Sequence, residues 1–447
     1  MSFPRYPTYK DSGVDWLGEV PAHWEVCALK RGYNVALGKM LQPESSSECD
    51  ELLPYLRAAN IHWSGVETTD IKQMWFSKRD QAQLRLEIGD LLISEGGDVG
   101  RSCLWKSELD ECYFQNSVNR VRAHDGHSNR YLYYWMSVIK DKGYIDVLCN
   151  KSTIAHFTAE KVSAVFVPFP TPAEQSRIAT FLDRETAKID ELIAEQLHMT
   201  ELLKEKRQAV ISHTITKGLD PEAPTKSSGI AWPDLVPAHW EVLPLTRVVR
   251  QFVDYRGVTP EKLDEGIIPL ITATQIKNGR IDHALDPVFI SEAEYKKRMT
   301  RGFPEKGDVL LTTEAPLGET AQIEDERVSP GQRMILMKVE STKITNAYLY
   351  THFRSAFGHK ELWTRASGST ASGIRADRLR ASIVLVPPLD EQEKIVKHIE
   401  RQISQLPLVE EECRKQIELL QERRAALISA AVTGQIDVRQ LTVNHTP

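Results

Sequence analysis

Two stretches of the chain combine short polar side chains with basic ones, at residues 150–156 and 367–375. Short hydroxyls and glycines let backbone amides approach phosphate oxygens, and Lys and Arg side chains can hydrogen-bond to base edges. Both stretches therefore predict contacts with nucleic acid, although ordinary surface turns use the same residue types. The candidate residues in them are Lys151, Ser152, Thr153, His156, Ser369, Thr370 and Arg375.

The charge of the chain favours local rather than general attraction to nucleic acid. The formal net charge is -6, which argues against a protein that coats nucleic acid through bulk charge. Residues 343–380 nevertheless hold seven Lys or Arg against two acids, and residues 126–163 hold five against three. Both candidate stretches thus lie in basic windows of a mildly acidic chain.

The elements that position these residues are duplicated at an offset of about 217 residues. The segment 20–26, Val-Pro-Ala-His-Trp-Glu-Val, recurs letter for letter at 236–242. The pair Glu174-Gln175 recurs as Glu391-Gln392. Because solenoid repeats are only about 20 to 50 residues long, a unit of this length indicates a duplicated domain.

The two copies differ most at polar loops. The loop 60–63 faces 275–278 in the other copy, and we pair Asn119-Arg120 with Gln332-Arg333. Copies that keep a framework and vary such loops are typical of two readers of different sequences. The second group of candidate residues is therefore Asn60, His62, Asn119, Arg120, Gln275, Lys277, Asn278, Gln332 and Arg333.

Each copy ends in a long helical pattern. The residues 171–174, Thr-Pro-Ala-Glu, have capping-box spacing with proline at the first helical position, and Asp390 with Glu393 predicts the same start in the second copy. Apolar residues at heptad spacing follow over more than about 30 residues, which favours a partner helix. The alternative is that each helix packs only on its own globular part.

Pro407 distinguishes the second helix from the first, which has Asp190 at the corresponding position. Proline removes a backbone donor and restricts the residue before it. We therefore expect a kink or break near Gln405 or Leu406.

Motifs of common catalytic sites are missing from the sequence. The segment 32–39 resembles a phosphate-binding loop, but five residues separate its glycines where four are required, and Met40 replaces the metal-binding hydroxyl. The six cysteines form no Cys-x-x-Cys pair, so we interpret them as reduced rather than zinc-binding. No apolar run of about 18 residues could span a bilayer. We expect a non-catalytic, cytoplasmic protein without a metal or a membrane partner.

In combination, these residues resemble the specificity subunits of type I restriction-modification systems over essentially the whole chain. The resemblance is carried by Trp16-Leu17-Gly18 with the motif at 20–24, and by the second copy at 232–240. The helix starts at 172–175 and 389–392 and the helix ends at 211–218 and 428–434 complete it.

This resemblance implies an α+β fold class: two tandem mixed α/β target-recognition domains, each followed by a long α-helix, the two helices forming an antiparallel coiled coil with pseudo-twofold symmetry. The expected boundaries are 1–170 for the first target-recognition domain, 171–219 for the first conserved helix, 220–388 for the linker and second domain, 389–437 for the second helix and 438–447 for a C-terminal tail.

The resemblance also implies partners. Each target-recognition domain would bind one half of a bipartite site in double-stranded DNA, and the chain would assemble with two methyltransferase subunits and with restriction subunits. S-adenosylmethionine, ATP and Mg would belong to those partners, so no cofactor is expected here. Two alternatives remain: a non-DNA-binding coiled-coil scaffold, suggested by the long stripes and acidic total, and a self-sufficient nuclease or methyltransferase.

Overall fold

The computed structural model describes residues 3–149, 156–256, 259–367 and 373–439. The chain divides into two compact units. The first combines Met1–Gln196 with Lys415–Pro447, and the second is the continuous segment Leu197–Arg414. Both crossings between the units fall inside long helices.

The elements of the first unit are mostly short. Its strands are β1 (Tyr9–Asp11), β2 (Glu19–Pro21), β3 (Glu25–Ala28), β4 (Tyr33–Leu37), β5 (Glu51–Leu56), β6 (Ile61–His62), β7 (Gly65–Val66), β8 (Lys72–Phe76), β9 (Leu91–Ser94), β10 (Ser102–Leu104), β11 (Tyr113–Phe114), β12 (Val118–Ala123) and β13 (Phe166–Phe169). Its short helices are α1 (Lys78–Leu84), α2 (Asn129–Asp141), α3 (Tyr144–Leu148) and α4 (Ala159–Ala164), and α5 (Pro172–Lys217) follows.

The second unit contains a matching series. Its strands are β14 (Thr225–Ser227), β15 (Leu235–Pro237), β16 (Glu241–Pro244), β17 (Val249–Asp254), β18 (Ile268–Ile271), β19 (Ile276–Lys277), β20 (Arg280–Ile281), β21 (Phe289–Ile290), β22 (Val309–Thr313), β23 (Leu317–Gln322), β24 (Ser329–Pro330), β25 (Met334–Val339) and β26 (Ile383–Val386). Its helices are α6 (Glu292–Met299), α7 (Asn346–Phe353), α8 (Ala356–Arg365), α9 (Ala376–Arg380) and α10 (Leu389–Ile403), and α11 (Leu406–Val432) follows.

The duplication extends to sheet topology. The first unit has a four-stranded sheet in the order β10-β9-β12-β4, and the second has its equivalent in the order β23-β22-β25-β17. A three-stranded sheet, β11-β5-β8, likewise corresponds to β24-β18-β21. The small pairs β13-β3, β1-β2 and β6-β7 correspond to β26-β16, β14-β15 and β19-β20. The predicted tandem duplication is therefore confirmed strand by strand.

Each unit closes its core with parts of both long helices. In the first unit, Trp24 and Tyr131 pack with Ile178 from the start of α5 and with Val432 from the end of α11. In the second unit, Trp240 packs with Ile399 of α10 and with Ile215 from the end of α5. Packing only on the preceding globular part is thus excluded, because each core recruits the end of the other long helix.

Within each unit the long helices run antiparallel. In the first unit, Asp190 Oδ1 of α5 lies 2.9 Å from Arg424 Nε of α11. From this contact the core is reached by going back along α5 to Leu182 but forward along α11 to Ile428. In the second unit, Arg207 of α5 pairs with Glu410 of α11 at 2.9 Å. The helix α5 continues from there toward Ile215 in the core.

The helix break predicted at Pro407 is confirmed. The first long helix, α5, is continuous over 46 residues. The second is divided into α10, which ends at Ile403, and α11, which begins at Leu406. Pro407 thus occupies the first turn of a new helix, where its missing N–H removes no helical hydrogen bond.

The glutamate of each Glu-Gln pair anchors a long helix to the repeated motif. Glu174 Oε1 accepts hydrogen bonds from Tyr6 Oη (2.6 Å) and Trp24 Nε1 (3.2 Å), and its Oε2 lies 3.0 Å from His23 Nε2. Glu391 makes the corresponding contacts with Trp240 Nε1 (3.1 Å) and His239 Nε2 (2.6 Å). The repeated His and Trp of the motif therefore bind the glutamate at the start of each long helix. We call this set of contacts the joint.

The capping prediction was right in part. Thr171 Oγ1 accepts from the Glu174 backbone N–H at 3.4 Å, but the Glu174 carboxylate serves the joint rather than the cap. The prediction for Asp390 was wrong, because α10 already begins at Leu389 and Asp390 pairs with Lys394 on the same helix at 3.1 Å.

Candidate nucleic-acid interface

Several loops of the first unit meet where β9 ends. The backbone N–H of Glu95 donates to Ser117 O at 2.9 Å, and the N–H of Phe157 donates to Glu95 O at 2.9 Å. Ser117 Oγ also accepts from the backbone N–H of Ala58 at 3.1 Å. These bonds join the loops after β5 and β9 to the turn before β12 and to residue 157. We call this group, residues 57–58, 95–97, 115–117 and 156–157, the first loop cluster.

The corresponding loops of the second unit meet in the same way. The backbone N–H of Thr313 donates to Arg333 O at 2.8 Å, and the N–H of Ile374 donates to Thr313 O at 2.9 Å. Gly373 forms antiparallel bridges with Glu314 and Ser367. We call this group, residues 272–274, 313–315, 331–333 and 373–375, the second loop cluster.

The second loop cluster is open and carries two exposed arginines on one side. A cavity of about 450 Å³ is lined there by Thr272, Thr274, Gln332 and Arg333, among others. Arg333 Nε lies 3.6 Å from Glu314 Oε1, and its side chain is 60% exposed. Arg375, 76% exposed, lies in the same cluster, two residues after Gly373, which bridges to Glu314. Exposed guanidinium groups beside short hydroxyls suit hydrogen bonding to phosphates and bases.

Charge in the first loop cluster is more balanced. The His156 ring is half-exposed, and its Nδ1 lies 3.9 Å from Glu95 Oε1. Burial raises the pKa of Glu95, and the nearby His156 partly offsets that rise. The guanidinium of Arg101 is tied to Ala58 O at 2.9 Å. The two units therefore present different polar groups on equivalent loops.

Two residues of the first candidate group lie in the loop clusters, one in each unit. His156 lies in the first loop cluster and Arg375 in the second. Lys151, Ser152, Thr153, Ser369 and Thr370 lie outside the described residues. The described residues that flank these gaps belong to or contact a loop cluster: residue 156 in the first, and residues 367 and 373 in the second.

Two polar candidates are instead buried in equivalent turns. Asn60, 2% exposed, accepts from the Arg57 backbone N–H at 3.0 Å and donates to Glu67 O at 2.9 Å. Gln275, 3% exposed, accepts from the Thr272 N–H at 2.8 Å and donates to Leu285 O at 2.8 Å. Their side chains hold the turns that support the clusters.

Asn119 and Arg120 are buried within β12. Asn119, wholly buried, donates from Nδ2 to Phe157 O at 2.8 Å and thereby fixes the end of the first candidate stretch. Arg120, 9% exposed, donates to Gln83 O at 3.0 Å and lies over the Phe114 ring. Both side chains therefore stabilise the fold and are not exposed for contact with a ligand.

His62, Lys277 and Asn278 belong to the small hairpins. Tyr133 of α2 donates to Trp63 O at 3.0 Å, and Tyr350 of α7 donates to Gly279 O at 2.9 Å. The hairpins are therefore anchored on helices that carry matching tyrosines. These three residues are not brought into either loop cluster.

The pairing of Asn119-Arg120 with Gln332-Arg333 was wrong by three residues. Strand β12 begins at Val118 and β25 at Met334, so the counterparts of Gln332 and Arg333 are Asn116 and Ser117. The offset of 216 given by the repeated motif already carries Ser117 onto Arg333. Asn116 and Ser117 are thus cluster residues that the sequence analysis missed despite an available signal.

Two negative findings apply to the described part of the chain. No group of His, Cys, Asp and Glu there has an arrangement that could hold a metal ion. Among the same residues, no helix combines the length and apolar character needed to cross a bilayer.

The fold is duplicated, and each copy carries one cluster of polar loops whose side chains differ from those of the other copy. The family model for the type I restriction modification DNA specificity domain matches residues 53–199 and 237–419. The chain belongs to this family. The matched domain is a specificity domain and not a catalytic one, and the relatives are specificity subunits.

Curated relatives agree with this assignment at low identity. The chain is 23% identical to the type I restriction enzyme EcoBI specificity subunit of Escherichia coli over 78% of this chain and 73% of that protein. It is 21% identical to the MjaIX specificity subunit of Methanocaldococcus jannaschii over 95% of this chain and 96% of that protein.

Two solved structures share the fold at 15% identity. One, from work on complex assembly and conformational transition of the type I R-M system, covers 93% of this chain and 99% of its own, with a TM-score of 0.67. The HsdS subunit from Thermoanaerobacter tengcongensis covers 93% and 98%, with a TM-score of 0.50.

Proposed function

We propose that the chain binds a bipartite target in double-stranded DNA, each unit contacting one half through its loop cluster. The observation that carries this proposal is the recurrence of one loop arrangement with different polar side chains: Asn116 and Ser117 in the first unit stand where Gln332 and Arg333 stand in the second. Equivalent scaffolds with different hydrogen-bonding groups suit two different base sequences.

The exposed arginines of the second loop cluster provide contacts to phosphates or guanines. Arg333 and Arg375 are 60% and 76% exposed, and among the described residues each has one carboxylate as an ion-pair partner, at 3.6 Å and 3.4 Å. Long, exposed ion pairs of this kind are weak. Phosphate oxygens could therefore replace the carboxylates at little cost.

We infer the wider assembly from what the family implies. The chain docks two methyltransferase subunits and restriction subunits, and it works in the cytoplasm. S-adenosylmethionine, ATP and Mg are used by those partners, while this chain supplies sequence recognition. The solved neighbour from work on complex assembly supports such partners.

A domain exchange tests whether each unit binds one half of the DNA target. Residues 20–170 are replaced by the corresponding segment of another specificity subunit, the chain is expressed with its methyltransferase subunits, and methylated motifs in host DNA are read by long-read sequencing. We expect only one half of the motif to change. A change in both halves would contradict the proposal.

A pair of substitutions tests the second loop cluster. Arg333→Ala with Arg375→Ala should weaken binding of the assembled complex to motif DNA and lower its dependence on salt, because phosphate contacts release counterions. The control is Arg327→Ala, an exposed arginine paired with Glu292 at 3.0 Å outside the cluster. If the chain were only a protein scaffold, neither variant would alter DNA retention.

A further inference from the structure

Two adjacent apolar side chains, Met40 and Leu41, protrude from the first unit just after β4. They are 75% and 55% exposed. Single exposed apolar residues are ordinary, but neighbouring large ones on a protruding loop are typical of a contact surface. Their position in the fold indicates what they contact.

The loop that carries them is fixed at both ends. The Lys39 backbone N–H donates to Phe114 O at 3.1 Å, and the Asn116 N–H donates to Lys39 O at 2.9 Å. On the other side, the Trp75 N–H donates to Gln42 O at 3.1 Å. Met40 and Leu41 therefore extend from two anchored points, which lowers the entropy lost when they are buried by a partner.

The first anchor connects this loop to the first loop cluster. Asn116 and Ser117 form the turn to which Lys39 is bonded, and Ser117 O accepts from Glu95. At Gly38 an added Cβ would lie 2.3 Å from Gln115 O, so the strand end and the turn are in direct contact. The apolar pair is thus continuous with the proposed DNA-binding loops.

The loop offers apolar rather than ionic contact. The ammonium of Lys39 is paired with Asp80 and lies 5.4 Å from the centre of the Phe76 ring. Its side chain is only 15% exposed. The charge next to Met40 is therefore already used inside the protein.

We propose that Met40 and Leu41 contact base pairs in the half-site bound by the first unit. This inference rests on the proposed function. Apolar side chains contact thymine methyl groups in the major groove or enter between base steps from the minor groove. Both contacts depend on the bases, and neither releases counterions as phosphate contacts do. The pair is therefore a specificity determinant of one half-site.

The second unit should lack an equal contact. At the offset of 217, Gly257 and Val258 take the places of Met40 and Leu41 in the sequence. Both lie outside the described residues. Because glycine has no side chain, Gly257 cannot make the contact that Met40 makes. Removing the Met40 side chain should therefore affect the first half of the motif alone.

The test compares Met40→Ser/Leu41→Ser with Ile88→Ser. Ile88 is 77% exposed and precedes β9, at the strand end opposite Glu95. Each full-length variant is assembled with its methyltransferase subunits. The probe is a duplex carrying the motif read from host methylation, and affinity is measured from about 50 to 200 mM salt. Thermal unfolding checks that the variants fold.

We expect the double variant to bind motif DNA at least about 10-fold more weakly, since burying one large apolar side chain is worth roughly that factor. The slope of log affinity against log salt should be unchanged, and the methylated motif should relax only in the first half. Replacing thymine by deoxyuridine then identifies the contact. If it removes the difference between variant and wild type, the partner is a thymine methyl; if it does not, the side chains enter between base steps.

Double-variant binding within twofold of wild type would overturn the inference, as would an equal loss in Ile88→Ser or a reduced salt slope. Those results would leave the proposed function intact. A wild-type complex that binds no motif DNA would instead overturn the proposed function and this inference together.

Discussion

Glu174 accepts the indole N–H of Trp24 across 3.2 Å, although 150 residues separate the two in sequence. The same relationship joins Glu391 to Trp240 at 3.1 Å. The joint differs between the units in two respects. Tyr6 adds a third donor to Glu174. The first joint is also more buried, with His23 and Glu174 side chains 41% and 5% exposed against 48% and 20% for His239 and Glu391.

Removing the two glutamates should therefore have unequal effects. Glu174→Ala leaves the buried donors of Tyr6 and Trp24 without their acceptor, which costs about 1–3 kcal/mol for each such group. Glu391→Ala should lower the free energy of unfolding by less, because its joint is more exposed to solvent. Denaturant unfolding of the full chain, followed by Trp fluorescence, measures both. Equal losses would show that burial of the joint is unimportant.

The glycine that ends each long helix should also respond unequally to substitution. A Cβ on Gly434 would lie 2.2 Å from Pro21 Cδ, whereas the nearest atoms to one on Gly218 would be Trp240 Cζ2, at 3.1 Å, and Glu391 Oε1, at 3.2 Å. Both residues have positive φ, which costs an L-residue about 1 kcal/mol. Gly434→Ala should add an overpacking penalty of about 1–3 kcal/mol. Thermal unfolding of the two variants gives the comparison, and a milder Gly434→Ala would contradict the geometry.

The Gly-Asp dipeptide that recurs at 89–90 and 307–308 supplies a buried aspartate to an ion pair in each unit. Asp308 lies 2.9 Å from Lys338, and both side chains are at most 5% exposed. Asp90 pairs with Arg122, whose side chain is 31% exposed and also reaches Glu87. Lys338 Nζ also lies 2.7 Å from Glu305 Oε1, whose side chain is 59% exposed. Asp308→Asn leaves the buried ammonium with this exposed partner alone and should destabilise its unit by about 1–3 kcal/mol, and Asp90→Asn by less. Urea unfolding of each variant tests the order.

His352 should make the second unit sensitive to mild acid. Burial lowers the pKa of this wholly buried ring to about 4, below the usual 6.5 or so of an unfolded chain. Between these values only the unfolded state takes up the proton, so stability falls as the pH drops from about 6.5 to 4, by on the order of 3 kcal/mol. His352→Leu should flatten this part of the pH profile of unfolding. An unchanged slope would show that another group is responsible.

The sequence predicted the architecture better than the surface. The duplication follows from repeated residues, the long helices from the periodicity of apolar side chains, and the interruption at Pro407 from the backbone geometry of proline. Asn60 and Gln275 were harder, because a side-chain amide that caps its own turn and one that meets a ligand occur in the same kind of loop. Whether such a group is buried depends on contacts from distant strands, which spacing does not encode.

The repeated motif also shows that the sequence does not reveal contacts between distant residues. Seven identical residues suggested the importance of Trp24 and His23 without revealing their partner, since Glu174 lies across the fold. Arg375 could be chosen from local charge, and Arg333 from the difference between the two copies, because exposed loops keep their side chains near solvent. Met40 was noted in the sequence only for spoiling a phosphate-loop pattern, and its exposure became evident from the fold.

The division of the chain has a consequence for synthesis on the ribosome. The second unit is one uninterrupted segment, whereas the first needs residues 415–439, including Ile428 and Val432, to fill its core. The second unit can therefore fold while translation is still under way. The first, although made earlier, must wait with its apolar surfaces uncovered until this late segment emerges, so a premature stop codon near residue 415 would disable the half of the protein farthest from it in the gene.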